Sequence, residues 1–266
     1  MNFNNIVTKD SDKICPECGS KLRECRDVTY CPKCYPEKIR KEIEQETDQE
    51  LKQASLNRKN QKINNLLKDS NIPKKFYKTT FETFNTNVEG WTAKEKQTAT
   101  NVFKGCLNYA KTFKQRKADN DWVFISGLHK VGTGKSHLIS AIGNELLKKY
   151  YKVVFFSEPN FLETLKSKFG DNDDKQHNFI NRITDVDFFI LDDLGKKVLT
   201  EWAREQMFLL INTLYMKETP TGITSELIYP EIKKKYGEWI SRFFGRSQKY
   251  IYGLELQNYR ERSLWK

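Results

Sequence analysis

Long apolar runs are missing from this sequence, and their absence excludes most. No stretch approaches the roughly 20 residues that span a bilayer, and Met1 to Asp10 lacks the apolar core of a secretory signal. A cytoplasmic protein is therefore expected, with no membrane among its partners. Cysteine is scarce except in one place: five of the six lie between Cys15 and Cys34. In a reducing compartment that crowding reads as metal binding rather than a disulfide framework, and the remaining Cys106 as a buried thiol. Acidic residues are in deficit, 35 against 46 Lys and Arg, which leaves a net charge of +11. Such a balance favours an acidic partner, nucleic acid foremost. With 30% charged and 38% hydrophobic residues in 266, the chain has material for one α/β domain and a small appendage, not for two large cores.

What is present centres on Gly127-Leu-His-Lys-Val-Gly-Thr-Gly-Lys-Ser136. The β-branched and aromatic run Trp122 to Ser126 precedes it, and Leu138, Ile139, Ile142 and Leu146 follow at helical spacing. Strand, glycine loop and helix together form the setting of a phosphate-binding loop. Gly132, Thr133 and Gly134 turn backbone N–H groups inward, Lys135 reaches the β and γ phosphates, and Ser136, with His137 after it, opens the helix where Mg²⁺ is ligated. The usual spacing puts a glycine at position 129, where this chain has His129. Gly127 reads as the strand exit, so a two-residue insertion is favoured over replacement of a glycine. His129 and Lys130 are expected at a solvated loop tip.

At the N-terminus, Cys15-Pro-Glu-Cys18 and Cys31-Pro-Lys-Cys34 are two knuckles, each offering two thiolates from a tight turn. Together they predict a structural Cys₄ zinc site in a module, 1–36, too small to fold unaided. Cys25 lies between them and could replace one ligand. Residues 37–71 read as a charged helical linker with a thin stripe of Ile39, Ile43 and Leu51, ended by Asn71-Ile72-Pro73. Residues 72–266 read as the main domain. Phe76, Tyr77, Phe81 and Phe84 are expected in its core, and one amphipathic helix over Thr92 to Lys117. Strands are expected at 152–157, 187–191, 219–224 and 248–256, helices through Phe161 to Leu165 and over 201–215, and an acidic loop at 170–175. Asp192-Asp193 ends the third strand some fifty-five residues after the Gly-Lys-Ser. In that place Asp192 is set to hold Mg²⁺ and Asp193 to polarise water. Strands alternating with helices imply a parallel sheet.

Several segments together resemble the replicative-helicase loaders of the DnaC/DnaI type, within the AAA+ ATPases. They are Ile72-Pro-Lys-Lys-Phe76, Thr80-Phe-Glu-Thr-Phe84, Gly132 to Leu138, Leu191-Asp-Asp-Leu-Gly195, Leu199 to Gln206, Ile223-Thr-Ser225 and Ser241-Arg242. The resemblance implies an AAA+ P-loop domain with a five-stranded parallel sheet, ATP and Mg²⁺ as cofactors, and self-assembly through that domain. It implies a hexameric replicative DNA helicase as partner and single-stranded DNA as the place of loading. It also implies that Arg242 reaches a neighbour's γ-phosphate as an arginine finger, with Arg246 and Arg260 as weaker candidates for a second arginine. The family carries Asn after Thr-Ser; here stands Glu226. That carboxylate either faces phosphate and slows hydrolysis, or points away and leaves Ser225 as the sensor. An IstB-type transposition helper and a nucleotide-gated DNA adaptor with negligible turnover are the alternative readings. DNA contact is expected where Lys233, Lys234, Lys235, Arg242, Arg246 and Lys249 mingle with Tyr236, Trp239 and Phe243, a pattern that equally suits a packed lid.

Overall fold

The computed structural model describes residues 9–25, 28–170, 172–196 and 198–259, the side chains of residues 9, 25, 28, 36–48 and 50 excepted. The chain divides into two compact units, 1–61 and 62–266.

In the first unit, β1 (Lys9–Ile14), β2 (Lys21–Cys25) and β3 (Val28–Tyr30) form an antiparallel sheet that the spacing of cysteines did not reveal. Its described core is thin. Cys15 and Cys31 are buried while Ile14 is 66% exposed, so the thiols occupy the place where aliphatic side chains would otherwise pack. Helix α1 (Tyr35–Asp69) is as long as the charge pattern predicts; Leu51 and Leu56 are exposed on it.

The second unit is a five-stranded sheet of β4 (Val123–Ser126), β5 (Val153–Ser157), β6 (Phe188–Leu194), β7 (Thr221–Ser225) and β8 (Ile251–Gly253). The order is β5-β6-β7-β4-β8, and every pairing is parallel. Successive strand residues face opposite layers. Val123 and Ile125 with Phe188 and Ile190 pack under α2 (Ala93–Lys111) and α4 (Lys135–Lys148). Phe124, Phe189, Leu191 and Ile223 pack on the other face, against α5 (Glu158–Phe169), α6 (Asp173–Ile183), α7 (Glu201–Met216), α8 (Tyr229–Tyr236) and α9 (Ser241–Ser247). Strands buried on both faces explain the near-continuous apolar runs.

The structure corrects four sequence boundaries. The helix expected over 92–117 starts in a Thr92–Glu95 capping box but breaks at Thr112, whose hydroxyl donates to the Asn108 carbonyl at 2.7 Å; α3 (Phe113–Ala118) follows. Within the segment 170–175 expected as an acidic loop, α6 already starts at Asp173, with Asn172 accepting from the Lys175 N–H at 2.9 Å. β6 continues through Asp192 and Asp193 to Leu194, and β8 is three residues long. Phe81 is buried in the core, whereas Tyr77 is exposed and Phe76 and Phe84 are only half-buried.

Buried Glu158 fixes the chain just after β6. Its carboxylate accepts from Tyr236 Oη at 2.6 Å and from the Gly195 N–H at 2.7 Å. Burial raises the Glu158 pKa, and the Tyr236 hydroxyl opposes the rise. A carboxyl whose folded pKa lies above its unfolded value loses stability as pH climbs through that window. Tyr236→Phe should therefore lower unfolding free energy by ~1–3 kcal/mol in urea titrations, more at about pH 7 than at about pH 4.5.

Candidate functional site

β4 ends at Ser126 and α4 begins at Lys135, so the loop is Gly127 to Gly134, two residues longer than the usual spacing, with Gly127 at the strand exit. Leu128 and His129 take left-handed φ values of 47° and 67°. The extra length docks on the exit of β7. Gly127 N–H donates to the Ser225 carbonyl at 2.8 Å and His129 N–H to the Glu226 carbonyl at 2.7 Å. His129 is exposed and lies 3.6 Å from a Glu231 carboxylate oxygen. At Gly134, φ is 97° and a Cβ would stand 2.6 Å from the Phe84 ring. No side chain caps α4 there, which leaves the N–H groups of its first turn to a ligand.

Strand order explains the acidic end. β7 lies between β6 and β4, so its Thr224 reaches the carboxylates of β6 from beside the loop. Asp192 Oδ1 accepts from Ser136 Oγ at 2.9 Å and from Thr224 Oγ1 at 2.5 Å; the Asp193 N–H donates to Thr224 Oγ1 at 3.0 Å. A register shift between Leu191 and Leu194 and a φ of 58° at Asp193 turn the second carboxylate out of the ladder. Its Oδ2 meets Lys196 Nζ at 3.0 Å. Burial raises the Asp192 pKa, Asp193 adds to the rise, and the Thr224 and Ser136 hydroxyls counter it. Lys135, which donates to the Lys130 carbonyl at 3.1 Å, is lowered by burial against the opposing pull of Glu226, Asp193 and Asp192.

These groups line a cavity of about 500 Å³ that runs from Asp192, Asp193 and Glu226 past the glycine loop to Phe84, Trp91 and Tyr259. Thr133 Oγ1 is buried without a hydrogen-bond partner. An orphan hydroxyl, an uncapped helix start, a glycine cradle and Ser136 beside Asp192 fit a nucleoside triphosphate with its magnesium. The aromatic end suits a flat base. Phe84 and Trp91 belong to this wall although the sequence reading placed Phe84 in the core and passed over Trp91. Thr224 was missed as well, since only the strand order brings it to Asp192.

Gly132, Thr133, Gly134, Lys135, Ser136, Asp192, Asp193 and Glu226 thus come together. His137 borders the cavity, but its Nε2 lies 3.0 Å from the Thr80 carbonyl and 3.1 Å from Thr83 Oγ1. Burial lowers its pKa, so the ring ties the turn before Phe84 to α4 as a neutral group. Ser225 does not reach the cavity: its hydroxyl donates to the Leu194 carbonyl at 2.6 Å and accepts from Leu227 N–H at 3.0 Å. Glu226 is the residue that faces in. Arg242 lies outside this cavity, donating to Asn212 Oδ1 at 2.7 Å; Arg246 stacks over Tyr215, and Arg260 lies outside the described residues. Two rings of the basic C-terminal stretch are packed, while Lys234, Arg242 and Lys249 are exposed. Tyr236 and Phe243 are buried, Lys233 pairs with Glu238 at 2.8 Å and Lys249 with Asp121 at 3.6 Å, so those two rings offer no face to a base.

In the first unit, one sulfur each from Cys15, Cys18, Cys31 and Cys34 lie within 4.8 Å of one another, with Cys18 and Cys31 at 3.5 Å. Tetrahedral zinc–sulfur bonds of about 2.3 Å place sulfurs roughly 3.8 Å apart, so the four fit a zinc ion. Hydrogen bonds from Ser20 bring Cys18 down to about 6, and the adjacent Cys18 sulfur pushes Cys34 up to about 12. The Cys34 N–H donates to Cys31 Sγ at 3.3 Å. The Cys25 side chain is outside those described. Cys106 is fully buried, its pKa raised by burial as an inert thiol requires.

Residues 77–244 match the family model of the bacterial DnaA ATPase domain. In sequence the chain is similar to the replicative helicase loader DnaC of Buchnera aphidicola subsp. Baizongia pistaciae, 27% identical over 191 residues, 71% of this chain and 72% of that one. In fold it is similar to the crystal structure of the DnaC helicase loader, with a TM-score of 0.56 and 18% identity over 68% of this chain and 99% of that one. It is also similar to the replication initiator DnaA bound to AMPPCP and single-stranded DNA, with a TM-score of 0.50 and 26% identity over 66% of this chain and 49% of that one.

Two outcomes are expected from this geometry. Thr224→Val, which keeps the shape but removes the hydroxyl shared by Asp192 and Asp193, should weaken magnesium-dependent nucleotide binding ~10-fold or more in a fluorescence titration. Atomic absorption on the purified chain should find one zinc per molecule, and Cys31→Ser with Cys34→Ser should remove it together with the sheet of β1 to β3.

Proposed function

The chain belongs to the family of the bacterial DnaA ATPase domain, and from that premise we propose that it is a helicase loader: it binds Mg²⁺–ATP, self-assembles through its ATPase domain, and helps place a hexameric replicative helicase on single-stranded DNA. The observation that supports this most is the pairing of Ser136 with Asp192 beside an uncapped, glycine-cradled helix start, in a chain similar over most of its length to a helicase loader. Bound magnesium–triphosphate would supply the scissile bond and screen its own charge. Thr133 and the first-turn N–H groups of α4 orient the phosphates, and Lys135 leaves the Lys130 carbonyl for the β and γ oxygens. Ser136 and Asp192 hold the metal, while Asp193, turned out of β6, orients water. Arg242, on the surface of α9, serves a neighbouring subunit's nucleotide.

Glu226 sets the tempo of that chemistry. A carboxylate aimed into the phosphate end repels the oxygens that Lys135 attracts, so turnover is slow. The division of labour follows the chain: residues 1–36 form the zinc module and carry recognition of the helicase, 37–71 link, and 72–266 bind nucleotide.

Lys135→Ala should abolish binding of a fluorescent ATP analogue with the fold intact. Glu226→Gln should raise kcat several-fold and Asp193→Ala lower it by ~10²-fold or more in steady-state phosphate release. For the helicase, calorimetry with the full chain should give tight binding that Cys31→Ser with Cys34→Ser abolishes and Lys135→Ala leaves in place. Retained affinity in the cysteine variant would move recognition to the ATPase domain.

A further inference from the structure

Lys196 carries none of the roles above, yet it lines the same cavity as Thr133, Lys135, Asp192 and Glu226. Its place is fixed from behind. The preceding Gly195 has φ of 90°, and a Cβ there would stand 2.6 Å from Leu227 Cδ1. The Gly195 N–H donates to the buried Glu158 carboxylate, and its carbonyl accepts from Lys235 Nζ. Backbone held by the buried Glu158 carboxylate on one side and the half-buried Lys235 ammonium on the other launches the Lys196 side chain toward the phosphate end. There its ammonium pairs with Asp193 Oδ2 at 3.0 Å.

That pairing sets the carboxylate assigned to orient water against a cation that competes with water for the same oxygen. Lys135 is held in a similar way, on the Lys130 carbonyl. Of the three lysines that line the cavity, Lys135 and Lys196 each rest on a protein acceptor and Lys75 lies over the Phe76 ring; three carboxylates face them. A terminal phosphate carries more charge than a carboxylate and offers three acceptor oxygens, so an ammonium able to reach both prefers the phosphate. A diphosphate lacks that terminal group.

We propose that Lys196 is a γ-phosphate-sensing cation: it pairs with Asp193 until a third phosphate draws it away, and its departure releases Asp193 to hold water. The inference rests on the reading of this cavity as an ATP site. No proton or bond changes hands in the exchange; one ion pair replaces another. Hydrolysis then returns Lys196 to Asp193, so the diphosphate-bound protein has its water-orienting carboxylate held by an ion pair.

The test is the ratio of ATP to ADP affinity, read with fluorescent analogues of both on the full chain. Lys196→Met should shrink the preference for ATP ~10-fold with little change in ADP affinity, and Lys196→Arg should keep it. Asp193→Asn, which removes the competing acceptor, should tighten ATP several-fold, and this gain should vanish in the Asp193→Asn, Lys196→Met double variant. Lys196 is more than half exposed, so the substitutions leave the core alone; circular dichroism melts confirm it. An unchanged ATP:ADP ratio in Lys196→Met, or an Asp193→Asn gain that persists in the double variant, overturns the proposal. If the unaltered chain binds neither nucleotide, the ATP reading itself falls and takes this role with it.

Discussion

One oxygen, Asp192 Oδ1, receives two hydroxyl hydrogen bonds, from Ser136 at the start of α4 and from Thr224 near the end of β7. Three elements separated in sequence by some thirty to ninety residues meet on that atom. A buried carboxylate is tolerated only when its charge is solvated by fixed dipoles, and these two hydroxyls supply them. Because Ser136 is also the first helical residue after Lys135, the position of the carboxylate and the position of the phosphate cradle are one constraint rather than two. The sheet order makes this possible: β7 lies between β6 and β4, so the Thr224 hydroxyl meets the acid of the neighbouring strand from one side while Ser136, after the loop that follows β4, meets it from another.

The two units achieve order by different physics. Residues 62–266 bury two apolar layers against a parallel sheet, with Phe188, Phe189, Ile190 and Leu191 divided between them. In the sheet of β1 to β3 the described interior is chiefly sulfur. Four sulfurs that fit a metal stand there in place of an aliphatic core, whereas the larger unit rests on burial of apolar surface.

Much of this was legible in the residues. The strand–loop–helix around Gly-Lys-Ser, the acid pair at a strand's edge and the two cysteine knuckles are local patterns whose chemistry depends on spacing along the chain. The parallel sheet followed from alternation of element types. What escaped was whatever depends on neighbours across the sheet. Thr224 and Ser225 are adjacent and chemically alike, yet strand pairing sends one hydroxyl to Asp192 and the other to the Leu194 carbonyl. The basic and aromatic C-terminal stretch was ambiguous because cations on a solvated face and cations around a stacked base share a composition; only packing shows Tyr236 and Phe243 to be interior. β1 and β2 carry charge at most positions and β3 is three residues long, so no alternation announced them, and the break at Thr112 hinges on a single side-chain hydrogen bond.

The lengthened loop and the carboxylate at 226 look like separate departures from a common pattern, but the His129 N–H is bonded to the Glu226 carbonyl. Trimming the loop would orphan that carbonyl and let the backbone bearing Glu226 drift, whereas a change of side chain at 226 would leave the main-chain bond in place. The length of the loop therefore sets where residue 226 stands, whatever its side chain, and with it the charge met at the phosphate end of the cavity.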